Sequence, residues 1–256
     1  MRAEPSTACS FSPGTVTFVT TADHQGVLAF GDSITNGGGE LQWGVALQSW
    51  VQWLSRGLGL PFTNYAVDGA RVSDVIERQI PAHQSLNAVG EPRYQLGCLY
   101  IGVNDVRSLE WDAASYERDL TQALSYLHGL CERVLTVLIP LDLGRPRAGA
   151  KVRDANAAIE RQAKQTNSLL LDLRDFAGRE FLMSDHVHPT AMGQIEIATR
   201  ALDVLKANGL PARTQPRALA NPHDGPKSRA RAVLTYAWRS AKQSLRIAIY
   251  SRLSRR

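Results

Sequence analysis

Residues 26–39 read G-V-L-A-F-G-D-S-I-T-N-G-G-G. A short apolar run stops abruptly in a polar, glycine-rich turn. The run is continuous rather than alternating, which suits a strand covered on both faces. Strands of that kind belong to parallel sheets flanked by helices. The turn then lies at the carboxyl end of a strand, where open α/β sheets collect their ligands.

Four more runs follow the same plan. They are F-T-N-Y-A-V at 62–67, L-G-C-L-Y-I at 96–101, R-V-L-T-V-L-I at 133–139 and S-L-L-L-D-L at 168–173. Between them the apolar spacing becomes helical. Residues 41–56 put Trp43, Leu47, Trp50 and Leu54 on one stripe, and residues 113–128 do the same with Tyr116, Leu120, Leu124 and Leu127. Residues 151–165 and 190–207 are helical in composition. Strand alternating with helix predicts the α/β class: a three-layer α/β/α domain around a parallel five-stranded sheet, with right-handed crossovers. Residues 15–20, T-V-T-F-V-T, add a candidate edge strand.

The bulk composition fits this plan. The chain has 256 residues, 44% of them hydrophobic, enough to bury a core. No stretch approaches the ~20 apolar residues of a membrane span. The first residues, M-R-A-E-P-S-T-A-C-S-F-S-P-G, lack an apolar h-region, so no secretory signal is read there and a cytoplasmic protein is expected. Cys9, Cys98 and Cys131 are odd in number and widely spaced, which fits neither a disulfide framework nor a C-x-x-C zinc pattern.

Charge is unevenly spread. Residues 211–256 hold eleven Lys or Arg and one acid, Asp224, for a net of +10, so residues 1–210 carry −5 of the overall +5. The mildly acidic body argues against nucleic-acid binding as its main role.

Four turns should meet on one rim: G-D-S-I-T-N-G-G-G (31–39), D-G-A-R (68–71), G-V-N-D (102–105) and S-D-H-V-H-P-T (184–190). Together they supply a hydroxyl, glycine amides, a side-chain amide, a carboxylate and imidazole. That set can perform acyl transfer. A serine needs a neighbouring base to become nucleophilic, and the base needs a third group to orient it. The tetrahedral oxyanion needs preplaced donors.

With G-D-S-I-T, the glycine after the second strand, G-V-N-D and a late D-x-x-H-P in this order, residues 26–205 resemble the SGNH hydrolase family, also called GDSL esterases and lipases. The resemblance implies a single flavodoxin-like domain and a serine esterase that forms an acyl-enzyme. It implies that Ser33 is the nucleophile, His188 the base and Asp185 its orienting partner. It assigns the oxyanion hole to the Ser33 and Gly69 amides and the Asn104 side chain. It implies no metal and no organic cofactor, and a small-molecule, sugar or lipid ester as substrate. An acyltransferase using the same triad and a non-catalytic binding protein on the same fold are the alternatives.

His186 and His188 compete for the role of base. Adjacent side chains diverge while residues three apart share a face, so Asp185 is expected to reach His188. Pro189 biases His188 away from helical backbone, holding it on the rim. The rival reading, H-x-H with Asp185 as a zinc site, lacks a further His or Cys at a matching strand end. Gly37–Gly39 read as a flexible loop, and no phosphate-cradle motif overlies them. Asp32 is expected to cap its turn, Asp105 to accept from a backbone amide, and Arg71 to be solvated or to meet an anionic substrate. Asn64 is either a sheet-end polar residue or a support for the Ser33 loop.

The domain plan is an N-terminal extension (1–25), the hydrolase domain (26–210), a proline-rich linker (211–227) and a basic amphipathic helix (228–256). In that helix Leu234, Trp238, Ala241, Leu245 and Ile249 recur at helical spacing beside Arg231, Arg239, Lys242 and Arg246. Such a helix either lies on an anionic membrane or docks on the acidic body or a second subunit.

Overall fold

The computed structural model describes residues 25–39, 45, 47–87, 93–220 and 225–253. The candidate edge strand at 15–20 and Trp43 lie outside them.

β1 (Val27–Gly31) runs into the one-turn helix α1 (Ser33–Asn36), and α2 (Trp50–Leu58) leads to β2 (Phe62–Asn64). α3 (Val72–Asp74) continues through a π turn, Val75–Gln79, into α4 (Ile80–Leu86) and then β3 (Tyr94–Tyr100). α5 (Val103–Arg107), α6 (Ala113–Leu130), β4 (Cys131–Leu138), α7 (Lys151–Thr166), β5 (Leu169–Asp172) and α8 (Ala191–Ala207) complete the body. α9 (Pro216–Leu219) and α10 (Pro226–Leu253) follow.

The sheet has five strands, all parallel, in the order β2-β1-β3-β4-β5, with helices on both sides. Val27–Phe30 in β1 are fully buried, as are Cys98 and Leu99 in β3 and Leu135 and Leu138 in β4. Burial on both faces explains why these strands read as continuous apolar runs. The chain passes from β1 outward to β2, then returns to the other side of β1 as β3. That reversal opens the crevice where sheets of this order bind ligands. Ser33 follows β1 and Asn104 follows β3, so they flank the crevice.

Two elements differ from the sequence reading. The stripe from residue 41 predicted a helix through Leu47, but Leu47–Ser49 are not helical. Ser49 caps α2 instead, its Oγ accepting the Val51 N–H at 3.2 Å. Leu47 still packs against the core from the lead-in segment, so apolar periodicity ran past the cap. β2 ends at Asn64 rather than residue 67, because the Asn64 side chain accepts the Ala66 N–H at 3.0 Å and turns the chain.

The proline-rich segment is partly packed. The Arg213 and Thr214 N–H groups both donate to the Gly57 carbonyl oxygen, at 2.9 and 3.1 Å, and Pro216 is buried. No described helix is long and apolar enough to cross a membrane.

Candidate functional site

Ser33 opens α1 at the carboxyl end of β1. Asp32 caps that helix, its Oδ1 accepting the Ile34 N–H at 2.9 Å. The Ser33 N–H lies in the first helical turn, where an amide has no intrahelical acceptor. The chain then folds back, the Gly38 N–H donating to the Ser33 carbonyl oxygen at 2.6 Å. A Cβ on Gly38 would sit 2.8 Å from that oxygen and 3.3 Å from His188 Cδ2. The glycine run is therefore fitted around Ser33 and His188, rather than being only a flexible loop.

His188 arrives from the opposite end of the domain. Residues 181–190 double back, with Met183 N–H donating to the His188 carbonyl oxygen at 2.9 Å and Thr190 N–H to that of Phe181 at 2.9 Å. Thr190 caps α8. His188 Nε2 lies 3.0 Å from Ser33 Oγ, and Nδ1 lies 2.8 Å from Asp185 Oδ2. Asp185 Oδ1 accepts the Val187 and His188 N–H groups at 2.9 and 3.1 Å, so one carboxylate holds both ring and backbone. His186 adopts φ 56°, and its ring is 3.4 Å from Asp142 Oδ2. The two histidines thus meet different carboxylates. Among the described residues no group of three His, Cys, Asp or Glu side chains is arranged to hold a metal ion.

Gly69 and Asn104 are brought side by side by two tethers. Asn104 Nδ2 donates to the Ala70 carbonyl oxygen at 3.0 Å, and the buried Asp105 accepts the Val72 N–H at 3.1 and 3.3 Å. Gly69 has φ 78°, a left-handed conformation that L side chains rarely adopt. Asn64 Nδ2 reaches the Thr35 carbonyl oxygen at 3.4 Å, supporting the far end of α1. Arg71 pairs with Glu110 at 3.1 Å.

Electrostatics favour a basic imidazole. The Asp185 hydrogen bond raises the His188 pKa above its ordinary value, outweighing burial; the Asp185 and Asp32 charges add to the rise and Arg107 opposes it. Burial works to raise Asp185, but the hydrogen bonds from His188 and Val187 hold it below the usual carboxylate range. Asp32 is wholly buried and its pKa is pushed up to about 7. Asp105 is likewise raised by burial, to about 6.

Two buried glutamines that the sequence reading passed over position the Ser33 loop. Gln79 clamps Gly31, accepting its N–H at 3.0 Å and donating to its carbonyl oxygen at 2.8 Å. Gln194 is fully buried on α8; it accepts the Trp50 N–H at 2.8 Å and donates to the Ile34 and Gly38 carbonyl oxygens at 3.0 and 3.1 Å. The available signal was a long polar side chain on an otherwise apolar helix face.

A hydroxyl in contact with an imidazole, itself held by a carboxylate, can support proton transfer coupled to attack on a carbonyl. The family comparison points to ester hydrolysis. Residues 29–194 match the model of the GDSL-like lipase/acylhydrolase family. The chain belongs to that family and is a carboxylic ester hydrolase. Among solved structures it is similar to a single-residue variant of Axe2, an acetyl xylan esterase from Geobacillus stearothermophilus, with 21% identity over 73% of this chain and 95% of that one and a TM-score of 0.56. It is also similar to LAE5, an alpha/beta hydrolase enzyme from the metagenome of Lake Arreo, Spain, with 20% identity over 72% and 96% of the two chains and a TM-score of 0.57. At that identity the likeness is one of fold. A comparison with curated proteins returns no match.

Proposed function

We propose that the chain hydrolyses a carboxylic ester through Ser33, His188 and Asp185 by way of an acyl-enzyme. The observation that carries this reading is the relay from Ser33 Oγ to His188 Nε2 at 3.0 Å and from His188 Nδ1 to Asp185 at 2.8 Å. Asp185 accepts only, so it selects the tautomer with hydrogen on Nδ1. The Nε2 lone pair then faces the serine hydroxyl.

Ser33 Oγ attacks the ester carbonyl carbon as its proton passes to Nε2. The carbonyl π electrons move to oxygen, forming a tetrahedral oxyanion. The Ser33 and Gly69 N–H groups and Asn104 Nδ2 donate to it. The Asn104 amide has two hydrogens; the bond to Ala70 fixes the side chain with one, and the other is left for the oxyanion. When the intermediate collapses, the C–O bond to the alcohol breaks and the leaving oxygen takes the proton from Nε2. Water then attacks the acyl-serine, passing a proton to Nε2, and the acid departs as that proton returns to Ser33. His188 is therefore base and acid in turn.

The acyl group and alcohol belong to a small molecule, a sugar or a lipid. Because one structural neighbour is an acetyl xylan esterase, acetylated sugars are the first substrates to test. The deciding experiment is a screen of p-nitrophenyl esters of increasing acyl length, with acetylated xylo-oligosaccharides beside them, on the chain and on Ser33→Ala. Turnover that disappears in Ser33→Ala supports the reading. Turnover within tenfold of the parent would remove Ser33 from the mechanism.

A further inference from the structure

α10 (Pro226–Leu253) rests on the body in an unusual orientation. A helix that packs for stability turns its apolar stripe inward. Here the contacts to the body come from the opposite face, that of Tyr236, Ser240 and Gln243. Arg145 Nη1 donates to Ser240 Oγ at 2.9 Å, Gln243 Nε2 donates to the Arg145 carbonyl oxygen at 3.4 Å, and the Arg179 guanidinium lies 5.2 Å from the Tyr236 ring centre. Leu234, Trp238, Leu245 and Ile249 lie roughly half a turn away at ~100° per residue. They are 70%, 64%, 62% and 49% exposed. The stripe spans residues 234–249, roughly 22 Å at the helical rise.

Charge indicates what covers this stripe. Residues 226–253 contain seven Lys or Arg and no Asp or Glu. Arg231, Lys242 and Arg246 are exposed beside the stripe, and Lys242 Nζ lies 5.2 Å from the Trp238 ring centre. An acidic protein surface would match the basic flank but leave the apolar residues in water. The exposed large hydrophobics of the body, Val67, Leu86, Leu109, Leu141 and Leu219, lie on separate segments and form no such stripe. An anionic bilayer offers both partners at once: headgroups for the flank and acyl chains for the stripe.

We propose that α10 seats its apolar stripe in the surface of an anionic lipid bilayer while its opposite face, with Tyr236, Ser240 and Gln243, stays on the body. Arg145 lies in the loop after β4 and Arg179 in the loop after β5, the edge of the sheet that also presents His188. Seated in this way, the helix brings the catalytic edge to the lipid surface.

The test is co-sedimentation of the full chain with phosphatidylcholine vesicles, with and without phosphatidylglycerol. Binding is expected only to the phosphatidylglycerol vesicles, and it weakens as salt is raised from about 0.05 to 0.5 M. Leu234→Ser with Leu245→Ser should weaken binding at least ~tenfold, since each removes exposed aliphatic surface that the bilayer would cover. Lys242→Glu with Arg246→Glu should abolish the preference for phosphatidylglycerol. Both double variants should hydrolyse a soluble ester at the parental rate, which shows that they are folded. In the unaltered chain, brominated lipid should quench a fluorescence component that Trp238→Phe removes. Failure of the unaltered chain to bind phosphatidylglycerol vesicles overturns the proposal, as does equal binding by the serine variant. Self-association that the serine variant abolishes, without vesicle binding, would assign the stripe to a second copy and overturn it too. Retention on RNA without vesicle binding would do the same. Vesicle binding reads no catalysis, so its outcome is independent of the esterase reading.

Discussion

Asn104 donates its side-chain amide to the Ala70 carbonyl oxygen at 3.0 Å, which ties the turn after β3 to the turn after β2. The bond holds the amide beside Gly69. Asn104→Ala should lower kcat by roughly 10²–10³ with a much smaller change in KM, because in the proposed mechanism the lost donor serves the oxyanion rather than the ground state. Steady-state kinetics on an activated ester decide. A loss confined to KM would place Asn104 in substrate binding instead.

In the proposed mechanism the pH profile depends on His188. The base must be neutral, and Asp185 raises its pKa above the ordinary 6.5. On the acid side kcat/KM should therefore fall with a midpoint above 6.5. Asp185→Asn removes the main cause of the rise, so the midpoint should move to lower pH. The plateau should fall by roughly 10²–10⁴, because the tautomer and orientation of the ring are lost. An unmoved midpoint in Asp185→Asn would contradict the assignment.

Asp32 opposes stability to activity. Its carboxyl titrates near 7 in the fold against 3.8 as a free group. The folded state therefore binds this proton more tightly than the unfolded state. The stabilisation is complete below about 3.8 and is lost progressively as pH rises to about 7. Asp32→Asn keeps an acceptor for the Ile34 N–H and cannot ionise. At pH 8 it should be more stable than the parent by about 1–4 kcal/mol. It should also lower the acid-side midpoint of kcat/KM, since the Asp32 charge helps to raise His188. Urea denaturation at pH 8 and the pH–rate profile read the two effects separately.

Gln194 satisfies three backbone groups at the junction of α1, α2 and α8. Gln194→Leu fills similar space but leaves the Trp50 N–H and two carbonyl oxygens without that partner. A loss of about 2–4 kcal/mol is expected by urea denaturation, accompanied by lower kcat as the Ser33 loop loosens. A loss below about 0.5 kcal/mol, in the range of ordinary surface changes, would show that the loop is held by other contacts.

The central strands β1, β3 and β4 were legible because burial on both faces leaves a continuous apolar run, while the edge strands β2 and β5 are only partly buried and carry shorter runs. The rim turns were legible because they follow such runs. The crossover at 72–86 was not identified. Pro81 interrupts its pattern, and the chain passes through a π turn just before it, so the 3.6-residue period is broken there. Gln79, which clamps Gly31, lies within that broken stretch. Ser33, His188 and Asp185 were singled out through the resemblance of their motifs to the GDSL family, and the fold brings these three side chains into contact. Gln79 and Gln194 were not identified: a long polar side chain on an apolar helix face was the local sign, but their partners are backbone groups 48 or more residues away in the chain, which that sign does not name. The orientation of α10 was also beyond the sequence, which gives the stripe but not which face the body takes.

The most direct test of the mechanism is covalent. The full chain is treated with a fluorophosphonate near pH 8 and digested, and the adduct is located by mass spectrometry. The account predicts a single adduct on Ser33, with labelling slowed by at least ~10³-fold in His188→Ala, where the base is gone. Labelling at another serine, or equal labelling of Ser33 in His188→Ala, would contradict it.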